Sequence, residues 1–280
     1  MHKINTISTI DLPEKLQVIP RPPKKLWYRG TFPEPWRKTV AIVGTRKPTA
    51  YGASVTEKIA YGLAERGVVI VSGLAYGVDA LAHQAALKAG GITAAVLGSG
   101  VDTVGPAGNR AIAEQMVEQG GALISEYEPG IPGLQFRFLE RNRLVIGLAD
   151  ALVITEASLR SGTINTASHA LAQSKDVYVV PGNITSPMSA GCNVLIAQGA
   201  IPITDIEEFC ESIAPRAEAR KTMAFTPEEQ VIISLIEQGV TDGDVLQTKS
   251  GLEATSYLQT VTMLEITGAI RSLGGNKWSL

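Results

Sequence analysis

TVAIVGTRKPTAYGASVTEKIAYGLAERGVVIVSGLAYG, residues 39–77, contains two short apolar runs on either side of a helix-like segment. The runs are Val40–Val43 and Val68–Val71, and the segment between them is Gly52–Arg66. Neither run alternates apolar with polar residues, which is typical of strands buried on both faces. This order predicts two parallel strands joined by a right-handed helical crossover.

The same alternation continues along the next 130 residues. Further strands are expected at Ile92–Leu97, Ala122–Ser125, Ala151–Ile154 and Val177–Val180, with a short seventh at Pro202–Ile203. Helices are expected at Asp79–Ala89, Asn109–Gln119, Arg141–Leu148 and Asn165–Ser174. Repeated units of this kind predict an α/β domain with a doubly wound, mostly parallel, Rossmann-like sheet.

The pattern changes after Phe209, which indicates a second domain. Residues 214–224 (APRAEARKTMA) have the composition of a linker, and residues 225–280 follow as a separate unit. Within it, Thr226 with Glu229 three residues later predicts a capped helix at Thr226–Gln238. Two more helices, Thr241–Lys249 and Glu253–Thr267, and a hairpin within Ala269–Leu280 predict a winged helix-turn-helix. Residues 1–38 then form an N-terminal extension, and residues 39–213 form the Rossmann-like domain.

Composition and charge exclude several classes of protein. The 280 residues are 45% hydrophobic, as in a globular protein, and no apolar run reaches the ~18 residues of a membrane span. The net charge of −2 combines +5 over residues 1–38, −5 over 39–212 and −2 over 213–280. Since no basic stripe is present, any nucleic-acid site has to be a local cluster. Cys192 and Cys210 fit no metal or disulfide pattern, which favours a reducing, cytoplasmic location.

The loops that follow the predicted strands are rich in Gly, Ser and Thr. Parallel strands end at one edge of a sheet, where small residues let backbone amides approach an anion. The loops are Gly44-Thr45-Arg46, Ser72-Gly73, Gly98-Ser99-Gly100, Ser161-Gly162-Thr163 and Pro181-Gly182-Asn183. No standard dinucleotide or P-loop motif occurs, so we expect no cofactor.

Positive charge in the core domain is sparse and lies near these loops. Arg46 and Lys47 follow the first strand, and Arg160 precedes Ser161. A second group interleaves Arg137, Arg141 and Arg143 with Phe136 and Phe138, which combines phosphate-binding guanidiniums with rings for base stacking. The alternative is that both rings are core residues and the arginines form a solvated helix face.

Catalysis and metal binding find little support in the sequence. His2, His83 and His169 are scattered, without metal-ligand spacing. Asp79 and His83 are four residues apart on one helical face, a pair that we interpret as capping and orienting its helix. We therefore expect no catalytic residue and no metal site.

With these segments in view, the chain resembles the DNA-processing protein A (DprA/Smf) family. The resemblance covers about 170 residues, in the order of the family. The matching stretches are AIVGTRKPTAYG (41–52), VSGLAYGVDALAHQAAL (71–87), VLGSGVD (96–102), ISEYEPG (124–130), FLERNRLVIGLAD (138–150), EASLRSGTINTASHAL (156–171) and VVPGNITSPMSAGCNVLIAQGA (179–200). The C-terminal unit resembles the winged helix of many members.

The resemblance implies a bacterial cytoplasmic protein of natural transformation and DNA recombination. Such a protein binds and protects incoming single-stranded DNA, dimerises through the Rossmann-like domain and helps to load the RecA recombinase. The expected DNA-binding residues combine the motif positions with the residue-level candidates: Arg46, Lys47, Ser72, Gly73, Gly98, Ser99, Gly100, Phe138, Arg141, Asn142, Arg143, Ser161 and Gly162.

The chain departs from the family pattern at several positions. Gly105-Pro106 replaces a Tyr-Pro, Leu139 replaces a proline, and Glu140 lowers the positive potential beside Arg141. The segment Glu253–Thr267 contains no Lys or Arg, so the winged helix is expected to contact mainly protein rather than duplex DNA.

Two other functions remain open. A nucleotide hydrolase of the lysine-decarboxylase-like group would use a glutamate where this chain has Thr166. A sensor could bind a small nucleotide or another anion in the same loops and signal through the winged helix.

Overall fold

The computed structural model describes residues 3–32, 37–216, 225–266 and 269–279. The chain forms two compact units, Met1–Arg216 and Ala217–Leu280. Of the expected linker, residues 214–216 belong to the first unit and 217–224 lie outside the described residues. Within the described part of the chain, no helix is long and apolar enough to cross a bilayer.

A sheet of nine strands forms the centre of the first unit. Its strands are β1 (Ile4–Ser8), β2 (Lys25–Gly30), β3 (Thr39–Val43), β4 (Val69–Ser72), β5 (Thr93–Leu97), β6 (Ala122–Ser125), β7 (Ala151–Ile154), β8 (Asp176–Val179) and β9 (Ile201–Pro202). Their order is β1-β2-β6-β5-β4-β3-β7-β8-β9. The seven strands from β3 to β9 pair in parallel, so their carboxyl ends share one edge. The mostly parallel α/β architecture is confirmed.

Helices connect the strands and cover both faces of the sheet. They are α1 (Glu14–Gln17), α2 (Ala50–Glu65), α3 (Val78–Lys88), α4 (Arg110–Glu118), α5 (Gln135–Leu148), α6 (Gly162–Ala172), α7 (Ala190–Ala197) and α8 (Ile206–Ile213). In β3, Ala41 and Val43 pack into one core with residues of α5 and α6, whereas Val40 and Ile42 pack into a second with α2 and α3. This burial on both faces explains why the strand sequences lack alternation.

Residues 1–38 are more than an extension, because they supply two strands of the sheet. β1 pairs antiparallel with β2, and β2 pairs antiparallel with β6. Leu16 and Leu26 are fully buried in the core that also contains α5. Lys15 forms an ion pair with Asp150 at 2.6 Å, which holds α1 to the residues that follow α5. The sequence prediction missed this segment because its two strands are separated by 16 Pro-rich residues.

Two helices begin at least three residues earlier than the sequence predicts, and both changes move candidate site residues. α5 begins at Gln135 rather than Arg141, so its arginines lie in the middle of the helix. The N-cap residue of α5 is Leu134, and no side chain forms a capping hydrogen bond at this start. α6 begins at Gly162 rather than Asn165, which places Ser161 at its N-cap.

The second unit has the winged helix-turn-helix elements that the sequence predicts. They are α9 (Pro227–Glu237), α10 (Gly243–Ser250), α11 (Ala254–Ile266) and a hairpin of β10 (Arg271–Ser272) with β11 (Trp278–Ser279). The capping box is confirmed, since Thr226 Oγ1 accepts from the Glu229 amide and Glu229 accepts from the Thr226 amide. Thr267, the expected last residue of α11, lies outside the described residues.

Candidate nucleic-acid interface

Two adjoining pockets open where the strand-end loops meet α5 and α6. The larger pocket has a volume of about 680 Å³ and is lined by Val43, Gly44, Thr45, Arg46, Ala75, Asp79, Gln135, Phe138, Leu139, Arg141, Asn142, Ser161, Gly162, Thr163 and Thr166. The smaller pocket, of about 310 Å³, is lined by Arg46, Gly73, Ala75, Tyr76, Ser99, Thr103, Val104, Gly105, Pro106, Gly133 and Phe138. Arg46, Ala75 and Phe138 line both, so the pockets are neighbours.

Arg46 places an unpaired guanidinium where the two pockets meet. Its side chain is exposed, and its guanidinium has no hydrogen bond or ion pair among the described residues. The loop that carries it is fixed by the buried Glu156, whose carboxylate accepts from the Thr49 amide (2.8 Å) and hydroxyl (2.7 Å). The Glu156 carbonyl also accepts from the Thr45 amide at 2.8 Å. Arg46 therefore offers a free guanidinium on an anchored loop.

Arg141 is buried beneath the larger pocket instead of lying on a solvated face. Its guanidinium donates to the Gly73 carbonyl at 2.9 Å and to the Val96 carbonyl. A Cβ on Gly73 would lie 2.3 Å from Nη2 of Arg141, so the close approach requires glycine at this position. Burial lowers the pKa of Arg141 to about 10, against the opposing effect of the nearby Asp79. Arg141 thus carries its positive charge at neutral pH.

Asp79 has a different structural role from the expected helix cap. Gly77 is the N-cap of α3, and one carboxylate oxygen of Asp79 accepts from the backbone amides of Gly73 (3.1 Å) and Ala75 (3.4 Å). Burial raises its pKa, while the Arg141 guanidinium acts against that rise. His83 does not pair with Asp79: its Nδ1 lies 2.6 Å from the Thr93 hydroxyl, and its buried Nε2 has no hydrogen-bond partner among the described residues. Asp79 and Arg141 therefore hold the β4–α3 loop from inside.

The start of α6 offers hydrogen-bond donors to the larger pocket. Ser161 makes no side-chain cap, and its hydroxyl is buried without a hydrogen-bond partner among the described residues. Gly162 and Thr163, the first residues of the helix, also line the pocket. Free amides and the helix dipole favour an anion at such a terminus. Thr163 belongs to a strand-end loop that the sequence identifies, but neither Thr163 nor Thr166 is among the predicted DNA-binding residues; an earlier start of α6 would have placed both on the same face.

Phe138 forms the partition between the two pockets. An added Cβ on Gly98 would lie 2.7 Å from its ring, and one on Gly133 would lie 2.8 Å from it. The two glycines thus let the ring pack against backbone, where it is held in place. Phe138 is only partly buried, and Phe136 is 53% exposed, so neither ring is a core residue.

Several predicted site residues lie away from the pocket surfaces. Arg143 is buried and forms an ion pair with Glu126 at 2.5 Å, and Lys47 is exposed but lines neither pocket. The Ser72 hydroxyl donates to the Ile42 carbonyl at 2.6 Å, and the Gly100 amide donates to the Ile131 carbonyl at 2.8 Å.

The structure therefore brings one part of the predicted set together. Arg46, Phe138, Arg141, Asn142, Ser161 and Gly162 line the larger pocket, and Gly73 and Ser99 line the smaller one. Within the described ranges, no group of three or more His, Cys, Asp or Glu residues has metal-binding geometry.

Comparisons with known proteins agree with this architecture. Residues 3–214 match the family model for DNA recombination-mediator protein A, and residues 214–276 match that for the DprA winged helix domain. A DNA processing protein DprA of Mycobacterium tuberculosis is 42% identical over 269 residues, which cover 92% of this chain and 69% of that protein. The Smf protein of Escherichia coli is 36% identical over 247 residues, 84% of this chain and 66% of Smf.

Solved structures of proteins from the same family also resemble this chain. The crystal structure of DprA from Streptococcus pneumoniae superposes with a TM-score of 0.67 at 38% identity, covering 74% of this chain and 73% of that one. DNA processing protein A from Helicobacter pylori, described for its single-stranded DNA binding mode, gives a TM-score of 0.68 at 34% identity, covering 76% and 96%. The chain thus belongs to the DNA recombination-mediator protein A family, with the winged helix domain of that family at its C-terminal end.

Proposed function

We propose that this chain is a cytoplasmic DNA-binding protein, rather than an enzyme, that holds single-stranded DNA in the larger pocket. The unpaired guanidinium of Arg46 carries this proposal, because it faces a pocket that also contains the amides at the start of α6. Arg46 and these amides would bind phosphate, and the Phe138 ring would stack on a base. Arg141, Asn142, Ser161 and Gly162 complete the proposed contacts.

Membership of the family supports a proposal for the cellular role. We propose that the chain acts in natural transformation and DNA recombination, where it protects incoming single strands and helps RecA to assemble on them. We further propose a homodimer formed through the Rossmann-like domain. Two measurements test these points. The first is RecA filament assembly on single strands covered by single-strand-binding protein, measured with and without this chain. The second is the mass of this chain in solution, measured by sedimentation.

Fluorescence anisotropy of labelled oligo(dT) tests the site itself. The wild-type protein is expected to bind oligo(dT) more tightly than duplex DNA, and Arg46→Ala is expected to lose at least tenfold in affinity, about 1.4 kcal/mol. Lys47→Ala is the matched control, since Lys47 is an adjacent exposed cation that lines neither pocket. Equal binding by wild type and Arg46→Ala would refute the site and favour a small anionic ligand.

The hydrolase alternative requires a carboxylate positioned for acid–base chemistry. Among the described residues that line the larger pocket, Asp79 is the single carboxylate, and one of its oxygens is engaged by two loop amides. Thr166, at the position where the related hydrolases have glutamate, is buried and has no ionisable group. Release of free adenine from AMP by the purified protein, and its loss in Asp79→Asn, would revive this alternative.

A further inference from the structure

We propose that Glu156 is a positioning residue for single-stranded DNA, whose buried carboxylate sets the affinity by holding Arg46 in place. The inference rests on the proposed role of Arg46 in binding phosphate. Glu156 follows β7, is 2% exposed and lines neither of the two pockets. Its effect on DNA is therefore expected to be indirect.

Glu156 holds the loop that carries Arg46 on both sides of that arginine. Before Arg46, the Thr45 amide donates to the Glu156 carbonyl at 2.8 Å. After Arg46, the Thr49 amide and hydroxyl donate to the two oxygens of the Glu156 carboxylate at 2.8 and 2.7 Å. An added Cβ on Gly52 would overlap with that carboxylate, so the first turn of α2 packs directly over it. Truncation of Glu156 therefore removes the hold after Arg46 and keeps the hold before it.

The hold after Arg46 has no substitute among the described residues. The other hydrogen bonds of residues 46–49 are local, because they join this stretch to Thr45 or to the first turn of α2. By contrast, the Thr45 carbonyl also accepts from the Val78 amide at 3.1 Å, so the start of the loop stays fixed. Without the carboxylate, Arg46 would lie on a loosely held segment. The free energy needed to order that segment would then be subtracted from DNA binding.

A second carboxylate makes the same kind of contact at the opposite edge of the sheet. Asp150 precedes β7, and its carboxylate accepts from the Thr39 amide at 2.9 Å and from the Thr39 hydroxyl at 3.1 Å. Because β3 and β7 are parallel neighbours, this contact lies at their amino ends, whereas the pockets lie where strands end. Asp150 is therefore a matched control that joins the same two strands without holding Arg46.

A double-mutant cycle between positions 46 and 156 tests the inference, with oligo(dT) anisotropy at low salt as the measurement. Glu156→Ala is expected to lower affinity about fivefold on its own, and by less than about twofold in the Arg46→Ala background, because the carboxylate acts through Arg46. Asp150→Ala should bind within about twofold of wild type, although chemical denaturation should show that both carboxylate variants are less stable.

Glu156→Gln is the conservative variant at the same position. Its amide oxygen can accept from the Thr49 amide and its NH₂ group can donate to the Thr49 hydroxyl, so affinity should return to within about twofold of wild type.

Thr49→Val keeps the test decisive if Glu156→Ala does not fold. It removes, at an exposed position, the hydroxyl that donates to Glu156, and it leaves the amide contact in place. Affinity is expected to fall about threefold, again only while Arg46 is present. Thr49→Ser retains the hydroxyl and should bind as wild type does.

The inference fails if Glu156→Ala folds and binds as wild type does, or if its loss of affinity is the same with and without Arg46. An equal loss in Asp150→Ala would also overturn it, because loss of stability alone would then weaken binding. A Glu156→Gln variant as weak as Glu156→Ala would show that these hydrogen bonds do not position Arg46. Failure of the proposed function looks different, since Arg46→Ala would then bind oligo(dT) as tightly as wild type.

Discussion

The polar residues that line the pockets divide into those whose side chains are engaged in holding the loops and those whose side chains are unpaired. Arg141 donates to two strand-end carbonyls, and Asp79 accepts from two loop amides, so both are committed. Arg46 and Ser161 have no such commitments among the described residues. The sequence identifies these residues as candidates, but it cannot divide them in this way because each partner comes from a distant strand or loop.

Gly73→Ala is expected to lower the free energy of unfolding by about 2 kcal/mol, because the new Cβ would lie 2.3 Å from Nη2 of Arg141. Chemical denaturation measures this effect. Gly105→Ala is the matched control and should change stability by less than about 0.5 kcal/mol, since its Cβ enters open space. Equal effects of the two substitutions would contradict the packing described for Arg141.

His83 is expected to make stability depend on pH. Burial, with a further contribution from the positive Arg141, lowers the pKa of His83 from 6.5 to about 3. Below pH 6.5 the unfolded chain therefore takes up a proton that the folded chain excludes, so stability falls by about 1.4 kcal/mol per pH unit. His83→Leu lacks this dependence. Denaturation of both proteins between pH 7 and 4 checks it, and parallel curves would show that His83 is protonated in the folded state.

At the scale of elements, the parallel strands could be predicted closely, whereas the starts of two helices could not. Ala151–Ile154 is apolar throughout and Ala122–Ser125 is apolar up to its last residue, so burial on both faces leaves a local signal in the sequence. α5 begins without a capping side chain, so its start has no comparable signal. Within the helix, Arg141 and Arg143 are two residues apart and so lie about 200° apart around its axis, which is why Arg141 lines a pocket while Arg143 pairs with Glu126.

Glu126→Gln therefore separates stability from DNA binding. The change breaks the ion pair with the buried Arg143 and should lower the free energy of unfolding by about 2 kcal/mol. Affinity for oligo(dT) should stay within twofold of wild type, because neither residue lines a pocket. A loss of affinity as large as that of Arg46→Ala would assign Arg143 to the DNA site after all.

Ser161→Asp tests the start of α6 in the opposite way. Aspartate is a strong N-cap and complements the helix dipole, so stability should rise by about 0.5 kcal/mol. The same carboxylate would repel a phosphate, and affinity for oligo(dT) should fall about tenfold. Ser168→Asp adds a charge at an exposed position of the same helix and should leave affinity unchanged. If Ser161→Asp binds DNA as wild type does, phosphate does not bind at this terminus.

At the scale of the whole molecule, the charge distribution predicts a modest response to salt. The net charge is −2, and the described cations that line the two pockets are Arg46 and Arg141. Each single-strand phosphate contact contributes about −0.7 to the slope of log affinity against log salt. We expect a slope of about −1.4 for wild type and about −0.7 for Arg46→Ala. A titration that gives a slope steeper than about −4 would require a larger basic surface.

The pairing of β2 with β6 has a consequence for synthesis on the ribosome. β2 ends at Gly30, but its neighbour β6 begins at Ala122, about 90 residues later. At roughly 5 to 20 residues per second, translation needs about 5 to 18 seconds to supply that neighbour. Throughout this interval Leu26, fully buried in the finished protein, has no sheet to pack against. β1 and β2 therefore cannot dock before β6 has been made, and until then they present an apolar segment that chaperones can bind.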